Sequence, residues 1–339
     1  MGSVVNNPIG PAARLTRSTP RTDLVGQLLA LGRRHRTLLT VLGSLATAAV
    51  LAWVLAGRGD EFTSALSEVS LWVVVATVLL QAVALVARSE AWHLTIDTAG
   101  GTVDRRVLYR ASSMQVLGGV LNSQLGVAAR IAALRRSSPE TCPQVPTLVA
   151  AEFPILAVEA MLAAAASFTL VAPLGLPWWL PIAVLFVFAL VSAGLRRLAL
   201  LKGRELWRGL AVLRTLNHGS RVIGFVLVAV VAQILRNWIL LRAVGVDASL
   251  FDAVAVLIAV VTLGQLPVGP TVGAASAVLI LGSDGVAAAA AAGLLLTVTG
   301  TLGGLCFAGW AGADRLWAAV RRPRGRPNFA TVERRDREA

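Results

Sequence analysis

The chain has 339 residues, of which 56% are hydrophobic and only 14% are charged, and its net charge is +13 at pH 7. Soluble domains carry about 25% charged residues, so a soluble protein of this composition could not cover its surface. The basic balance is typical of cytoplasmic loops beside anionic headgroups. It does not indicate nucleic-acid binding, because basic and aromatic residues do not alternate outside the apolar segments.

The first half of the chain predicts a tail, three membrane spans and one interrupted apolar segment. Residues 1–37 are basic and rich in proline, which predicts a disordered cytoplasmic tail. Apolar runs of the length that crosses a bilayer follow at 38–56, 69–87 and 146–172. Between the last two, residues 88–110 are polar, and the moderately apolar segment 111–134 is broken by Gly118-Gly119, Asn122-Ser123-Gln124 and Gly126.

The second half repeats this arrangement. It contains spans at 178–195, 222–244 and 286–310, and a basic segment at 196–221 that could form a surface helix. A second broken apolar segment, 252–281, is interrupted by Gly264-Gln265, Pro267, Gly269-Pro270 and Gly273. The tail 311–339 is again basic and is predicted to be disordered.

Charge counting favours a particular orientation. If the six spans cross fully and both broken segments enter and return, the cytoplasmic pieces are 1–37, 88–145, 195–221 and 311–339, and they hold 28 of the 31 Lys and Arg residues. This strong positive-inside bias predicts two re-entrant hairpins instead of two extra spans, with both termini in the cytoplasm of a plasma membrane protein.

The two broken segments also suggest an internal repeat. In each half a span carrying a Trp is followed by a Gly and then, 22 residues later, by a break, with an offset between the halves of about 145 residues. The half-repeats cover about 69–172 and 222–310 of a transmembrane domain at 38–310. Because the second and fifth spans run in opposite directions, the repeat would be inverted, which is typical of transporters with a site near the midplane.

Charged residues inside the spans are the first candidates for a site. Glu152 and Glu159 are seven residues apart on one helix face, and Arg236 and Asn237 lie in the fifth span with Gln233. Glu159 and Arg236 fall at similar depth, so we expect them to pair. The pair would serve either as a structural ion pair or as a headgroup or proton site, since intramembrane charges face a partner or a wet cavity.

The broken segments supply further candidates. Arg88 and Arg130 adjoin the first hairpin, and arginine beside a helix break suits a phosphate, although positive-inside placement also explains arginines there. The remaining candidates lie at the helix breaks. Free backbone N–H groups at a half-helix start there would bind an anion, or the residues would simply let the chain reverse. They are Asn122, Gln265, Gly269 and Gly273. In the last span, Thr297, Thr299 and Thr301 are interpreted as helix-packing residues.

No catalytic, cofactor or metal signature stands in the sequence. There is no HExxH, Walker A or GxSxG motif, the three histidines are scattered, and the two cysteines are far apart. We therefore expect neither an enzyme nor a primary pump on this chain.

The broken segments carry a resemblance. Three motifs carry the resemblance: Arg88-x-x-x-Trp92, Asn122-Ser-Gln-Leu-Gly-Val-Ala-Ala-Arg130 and Pro267-Val-Gly-Pro-Thr-Val-Gly-Ala-Ala-Ser276. The chain resembles the flippase-like family related to the transmembrane domain of lysylphosphatidylglycerol synthase. The similarity covers roughly residues 40–310 through short motifs. Val127 and Ser276 stand where that family has glutamates, which implies a different substrate, a different coupling or reduced activity.

Together these features predict an all-α polytopic membrane protein that binds and moves an anionic phospholipid or a polyprenyl phosphate lipid. Two alternatives remain open. One is a lipid-modifying transferase that uses the intramembrane glutamates. The other is a scaffold or regulatory subunit for an envelope-synthesis enzyme, which the loss of both motif acids favours. Expected partners are membrane lipids, with a membrane enzyme or a second copy of the chain as further possibilities.

Overall fold

Helices make up all the regular structure in the part of the chain that the structure describes. A computed structural model describes residues 36–99, 101–119, 123–139, 142–202, 216–264, 271–282 and 285–321. Most of the two predicted tails and all of residues 203–215 therefore lie outside the described residues.

The helices follow one another along the chain with short connections. Their bounds are α1 Arg36–Val54, α2 Gly59–Ser67, α3 Leu71–Thr98, α4 Arg105–Gly119, α5 Ser123–Ser137, α6 Val145–Ala150, α7 Phe153–Ala166, the 3₁₀ turn Ser167–Leu170, α8 Val171–Leu174, α9 Leu180–Lys202, α10 Leu216–Ala243, α11 Leu250–Leu263, α12 Val272–Leu281 and α13 Val286–Arg321.

Four helical segments are long and apolar enough to cross a membrane. They are Leu71–Thr98, Val145–Leu174, Gly219–Ala243 and Val286–Ala313. They overlap the predicted second, third, fifth and last spans. Large apolar side chains such as Trp72, Phe186 and Leu190 are exposed on the outside, which is the surface that an α-helical membrane protein presents to lipid.

The structure adds detail to two of the predicted segments. The polar stretch predicted from residue 88 is instead a continuation of α3 as far as Thr98. The reason is packing: Trp92 and Ile96 are almost completely buried, so this last part of α3 has its own apolar face. The third span is not one straight helix, because α6 ends at Ala150 and α7 begins at Phe153. Pro154 has no N–H to continue the helical ladder, and this favours a break beside Glu152.

Two main apolar clusters form the core, roughly one for each half of the chain. The first surrounds Trp92, Leu108 and Leu134 and includes the start of α10. The second surrounds Leu240, Val256 and Ala292. Between them α3 and α10 lie side by side through the small residues Ala84, Ala87, Ala229 and Ala232. Small residues let helix backbones approach closely, as is common between helices in membranes.

Both interrupted segments form pairs of short helices. Helices α4 and α5 pack against each other, and the approach is so close that a Cβ atom on Gly126 would lie 2.5 Å from the carbonyl oxygen of Gln115. Helices α11 and α12 also contact each other, on either side of residues 265–270, which the structure does not describe. Of the predicted interruptions, Gly118-Gly119, Gly126 and Gly273 lie inside these helices, and Asn122, Gln265, Pro267 and Gly269-Pro270 lie outside the described residues.

Candidate anion-binding cavity

The centre of the candidate site is the guanidinium of Arg236, on α10. Its side chain is buried, and its Nη1 donates to Oε1 of Gln81 at 2.7 Å and to Oε1 of Gln233 at 3.0 Å. Its Nη2 donates to the carbonyl oxygen of Leu296 and to Oγ1 of Thr299, the latter at 3.2 Å. Every one of these acceptors is neutral, so they hold the guanidinium in place without cancelling its charge.

Glycines on α13 make room for this arrangement. A Cβ atom on Gly300 would lie 2.9 Å from Nη2 of Arg236, and one on Gly303 would lie 2.6 Å from Cγ of Gln81. Both distances are too short for ordinary carbon contacts. The α13 backbone therefore forms one wall of the niche that orients Arg236.

The predicted pairing of Arg236 with Glu159 is wrong. Glu159 instead forms a bidentate ion pair with Arg88, with distances of 2.8 Å from Nη1 to Oε1 and 3.1 Å from Nη2 to Oε2. The side chains on α3 and α7 reach each other directly, while Arg236 points towards α13. Among the described residues no carboxylate lies within ion-pair distance of Arg236, so its positive charge is uncompensated there. A buried charge in this condition is costly unless a ligand or water neutralises it.

Arg236 borders a cavity of about 250 Å³. The polar side chains that line it belong to Gln233, Arg236, Asn237, Thr297 and Thr301. The rest of the described lining is apolar or glycine: Gly119, Leu257, Val260, Val272, Gly273 and Leu296. The cavity thus combines one cation with hydrogen-bonding groups and apolar walls, which is the usual make-up of a small-ligand site.

Each interrupted segment contributes a helix end to the cavity. Gly119 is the last residue of α4, and Gly273 lies in the first turn of α12. Only the α12 end favours an anion, because the first turn of a helix has N–H groups without intrahelical partners and a positive dipole end, whereas the last turn of α4 presents carbonyl oxygens. A Cβ atom on Gly273 would lie 2.5 Å from the carbonyl oxygen of Gly293, so only glycine allows α12 this close to α13.

Asn237 is the second polar group of the site. It is 2% exposed, and its Nδ2 has no hydrogen-bond partner among the described residues. A buried amide donor without a partner costs free energy that a bound acceptor would recover. Asn237 and Arg236 are neighbours in the chain and both line the cavity, so a ligand there could contact both.

The arginine predicted inside the first hairpin has a different environment. Arg130 is 1% exposed, ion-paired with Glu152, and its guanidinium carbon lies 3.7 Å from the centroid of the Trp92 ring. Arg130 therefore already has a carboxylate and an aromatic face as partners. The Arg88–Glu159 pair lies close enough to act on it electrostatically, so the first half holds a cluster of two balanced ion pairs.

The predicted site residues therefore separate into three groups. Arg236, Asn237 and Gly273 meet at the cavity. Arg88, Arg130, Glu152 and Glu159 form the two ion pairs, and are not among the described lining. Asn122, Gln265 and Gly269 lie outside the described residues.

Sequence reasoning missed Gln81 and misjudged the threonines of the last span. Gln81 bridges α3 and α10, since its Oε1 also accepts from Nε2 of Gln233 at 2.8 Å. A lone glutamine inside an apolar span was the available signal, because polar residues in spans join helices together. Thr299 accepts from Arg236, and Thr297 and Thr301 line the cavity, so these threonines do more than pack helices.

Comparison of the chain with protein-family models and with curated proteins finds no match. The cavity itself must therefore carry the functional argument.

Proposed function

We propose that this protein binds the anionic headgroup of a membrane lipid in the Arg236 cavity and moves that lipid across the bilayer. The observation that carries the proposal is a buried guanidinium, held by neutral acceptors, beside a cavity with no acidic residue in its described lining. Such a site favours an anion. The surrounding protein is apolar on its outside, so a lipid is the anion with the readiest access.

The size of the cavity fits a headgroup better than a whole lipid. At about 250 Å³ it lies below the roughly 300–1,000 Å³ of pockets that enclose drug-sized molecules. The acyl or polyprenyl chains would remain in the bilayer while the phosphate occupies the cavity. The candidate substrates are an anionic phospholipid and a lipid-linked polyprenyl phosphate.

The proposal includes a topology of six crossings and two re-entrant hairpins, with α1 and α9 as the two crossings beyond the four long segments. Support comes from helix lengths. Helices α4, α5 and α11 have 14 or 15 residues and α12 has 10, so each is at most about 22 Å long against a hydrocarbon core of about 30 Å. None of the four reaches across a bilayer alone. The 28 Lys and Arg residues of the proposed cytoplasmic pieces support cytoplasmic termini in a plasma membrane.

An inverted repeat would relate the two halves. Support comes from the positions of the helices: α3 ends at Thr98, and α10 ends 145 residues later, at Ala243. Helix α11 likewise begins 145 residues after α4, at Leu250 against Arg105. Transporters built from such repeats bind substrate where their broken helices meet.

The likeness to the flippase-like family points to the same function, with one difference. Val127, at the first missing glutamate, packs against the apolar cluster around Trp92. Ser276, at the second, is completely buried on α12. Transport that depends on carboxylates at these two positions is therefore not available to this chain, and Arg236 is the charge that we assign to substrate binding.

Native mass spectrometry of the purified protein is the test of lipid binding. We expect a stoichiometric anionic or polyprenyl phosphate lipid to be retained. Gln81→Glu replaces the neutral acceptor of Arg236 by a carboxylate of nearly the same shape, so it should neutralise the site and release the lipid. Gln144→Glu adds the same charge at an exposed position outside the described lining, and should retain it.

A second readout covers translocation, with fluorescent anionic lipid in proteoliposomes. Loss of transport in Gln81→Glu together with normal transport in Gln144→Glu supports the proposal. Retention of no specific lipid by the unmodified protein contradicts it, and favours the scaffold alternative with a protein partner.

A further inference from the structure

The amide of Asn237 gives the cavity a second recognition element beside the charge. It is 2% exposed, next to Arg236 in the chain, and its Nδ2 has no partner among the described residues. Sites that contain buried polar groups discriminate strongly against ligands that leave those groups unpaired. The ligand therefore has to offer a hydrogen-bond acceptor for Nδ2 close to its anionic group.

The charge of the cavity excludes another class of headgroup. Its described lining contains no Asp or Glu, and the segments 120–122 and 265–270 that connect its helices contain none either. Glu152 and Glu159, the two intramembrane carboxylates predicted for the site, are taken by Arg130 and Arg88. An ammonium group in the cavity would thus meet the cation of Arg236 and no counter-charge from the described lining.

We infer that the site selects an anionic phosphodiester whose headgroup carries a hydroxyl group and no ammonium group. Arg236 binds the phosphate, and Asn237 is the specificity-determining residue that binds the hydroxyl group. This inference rests on the proposed function, and it goes further by dividing anionic lipids into two classes. It also separates this chain from any carrier of aminoacylated lipids.

Three lipids of matched acyl chains test the inference by competition in native mass spectrometry. Phosphatidylglycerol has the phosphodiester and hydroxyl groups, phosphatidylethanol has the same charge without hydroxyl groups, and phosphatidylethanolamine adds an ammonium group. We expect phosphatidylglycerol to be retained about 3- to 10-fold over phosphatidylethanol, the factor of one hydrogen bond, and phosphatidylethanolamine not to be retained.

Asn237→Leu isolates the amide. The substitution nearly conserves volume and removes Nδ2, which has no partner among the described residues, so the melting temperature should not fall. In the variant, the ratio of retained phosphatidylglycerol to retained phosphatidylethanol should fall to about 1, because the amide no longer distinguishes the two headgroups. A variant that keeps the preference, or an unmodified protein that retains phosphatidylethanolamine, overturns the inference.

The outcomes separate this inference from the proposed function. If all anionic lipids bind equally and Gln81→Glu releases them, the proposed function stands and the selectivity of Asn237 falls. If no lipid is retained, the proposed function falls first. Glycerol phosphate distinguishes a lipid headgroup from a free phosphate ester as the ligand. Displacement of bound phosphatidylglycerol only at a high excess of glycerol phosphate supports a lipid ligand. Tight binding of glycerol phosphate to the lipid-free protein overturns it.

Discussion

Three arginines inside the helical core, of which Arg130 and Arg236 are buried and Arg88 is partly exposed, are stabilised in two different ways. Arg130 has the carboxylate of Glu152 and the face of Trp92, and Arg88 has Glu159, so these charges are balanced by neighbours. In the part of the chain that the structure describes, Arg236 has only neutral oxygen acceptors. Because the electrostatic cost of burial differs between the two arrangements, we expect substitutions at them to have different consequences: loss of stability at the first, and loss of ligand at the second.

Glu152→Gln tests the structural role of the first arrangement. The change leaves the guanidinium of Arg130 buried without a counter-charge, and breaking a buried pair in this way costs about 3–5 kcal/mol. We expect a large fall in the melting temperature of the detergent-solubilised protein. Asp247→Asn is the control, because it breaks the exposed pair with Arg242, which contributes about 1 kcal/mol or less. Equal shifts for the two variants would contradict the assignment.

Tyr109 is the only tyrosine in the chain, so its ionisation can be measured without overlap from another tyrosine. Burial, together with the hydrogen bond from the hydroxyl group of Tyr109 to Glu90, raises the pKa of Tyr109 to about 12. The folded protein therefore holds this proton more tightly than the unfolded chain, whose tyrosine has a pKa of about 10. The stability from this group is full below pH 10 and is lost as the pH rises through about 12.

Tyrosinate absorbance during an alkaline titration measures that pKa directly. The midpoint should lie near 12 in the folded protein and near 10 in denaturant. Glu90→Gln should lower the folded midpoint, since it removes a negative charge beside the phenol. A folded midpoint of 10 would mean that Tyr109 is exposed and unbonded.

At the scale of elements, the glycines of α13 determine how closely four helices pack. Gly293 faces α12, Gly300 faces Arg236 on α10, Gly303 faces Gln81 on α3, and a Cβ atom on Gly304 would lie 2.2 Å from Cγ1 of Val116 on α4. A larger residue at any of these positions meets a neighbouring helix. The spacing of these glycines therefore shapes the cavity as much as the polar residues do.

Gly293→Ala tests this dependence. The new Cβ atom would lie 2.3 Å from Cα of Ala274, which is backbone and cannot rotate away, so α12 must move from α13. Overpacking of this kind costs about 1–3 kcal/mol. We expect a lower melting temperature and weaker lipid retention, because Gly273 and Thr297 line the cavity at this contact. Gly309→Ala, on the same helix with nothing within 4 Å, should be neutral or slightly stabilising.

At the scale of the whole molecule, the cavity lies where the two halves meet. Gly119 comes from the first interrupted segment and Gly273 from the second, while α3 and α10 are joined by the hydrogen bond between Gln81 and Gln233. An inverted repeat with this arrangement would give each hairpin access from one side of the membrane.

Thiol accessibility tests this topology. In a background with Cys142 and Cys306 replaced by serine, a single cysteine at Ser123 should react with an impermeant reagent from the cytoplasmic side. One at Thr271 should react from outside. Inside-out and right-side-out vesicles provide the two measurements. Reaction of both cysteines from the same side would rule out the inverted arrangement.

Much of the fold could be predicted from local patterns, because a bilayer imposes its thickness on helices. Runs of about 20 apolar residues predicted the four long segments. Arg236 and Asn237 were predicted as site residues because polar groups are costly inside apolar helices unless they have a role, and Gly273 because a half-helix start leaves free N–H groups. The free-energy cost of a polar residue inside an apolar helix follows from the sequence around it, so these predictions needed no tertiary information.

Partners, in contrast, were decided only by the tertiary structure. Equal depth suggested that Glu159 would pair with Arg236, yet depth leaves helix rotation and neighbour identity open, and these put Glu159 against Arg88. Gln81 is 155 residues from Arg236 along the chain, so no local pattern relates them. The sequence by itself determined a helical membrane protein with charged and polar residues inside its apolar helices. The packing of the helices decided which of those charges has a carboxylate partner and which one, Arg236, has only neutral partners among the described residues, because an ion pair depends on distances between helices.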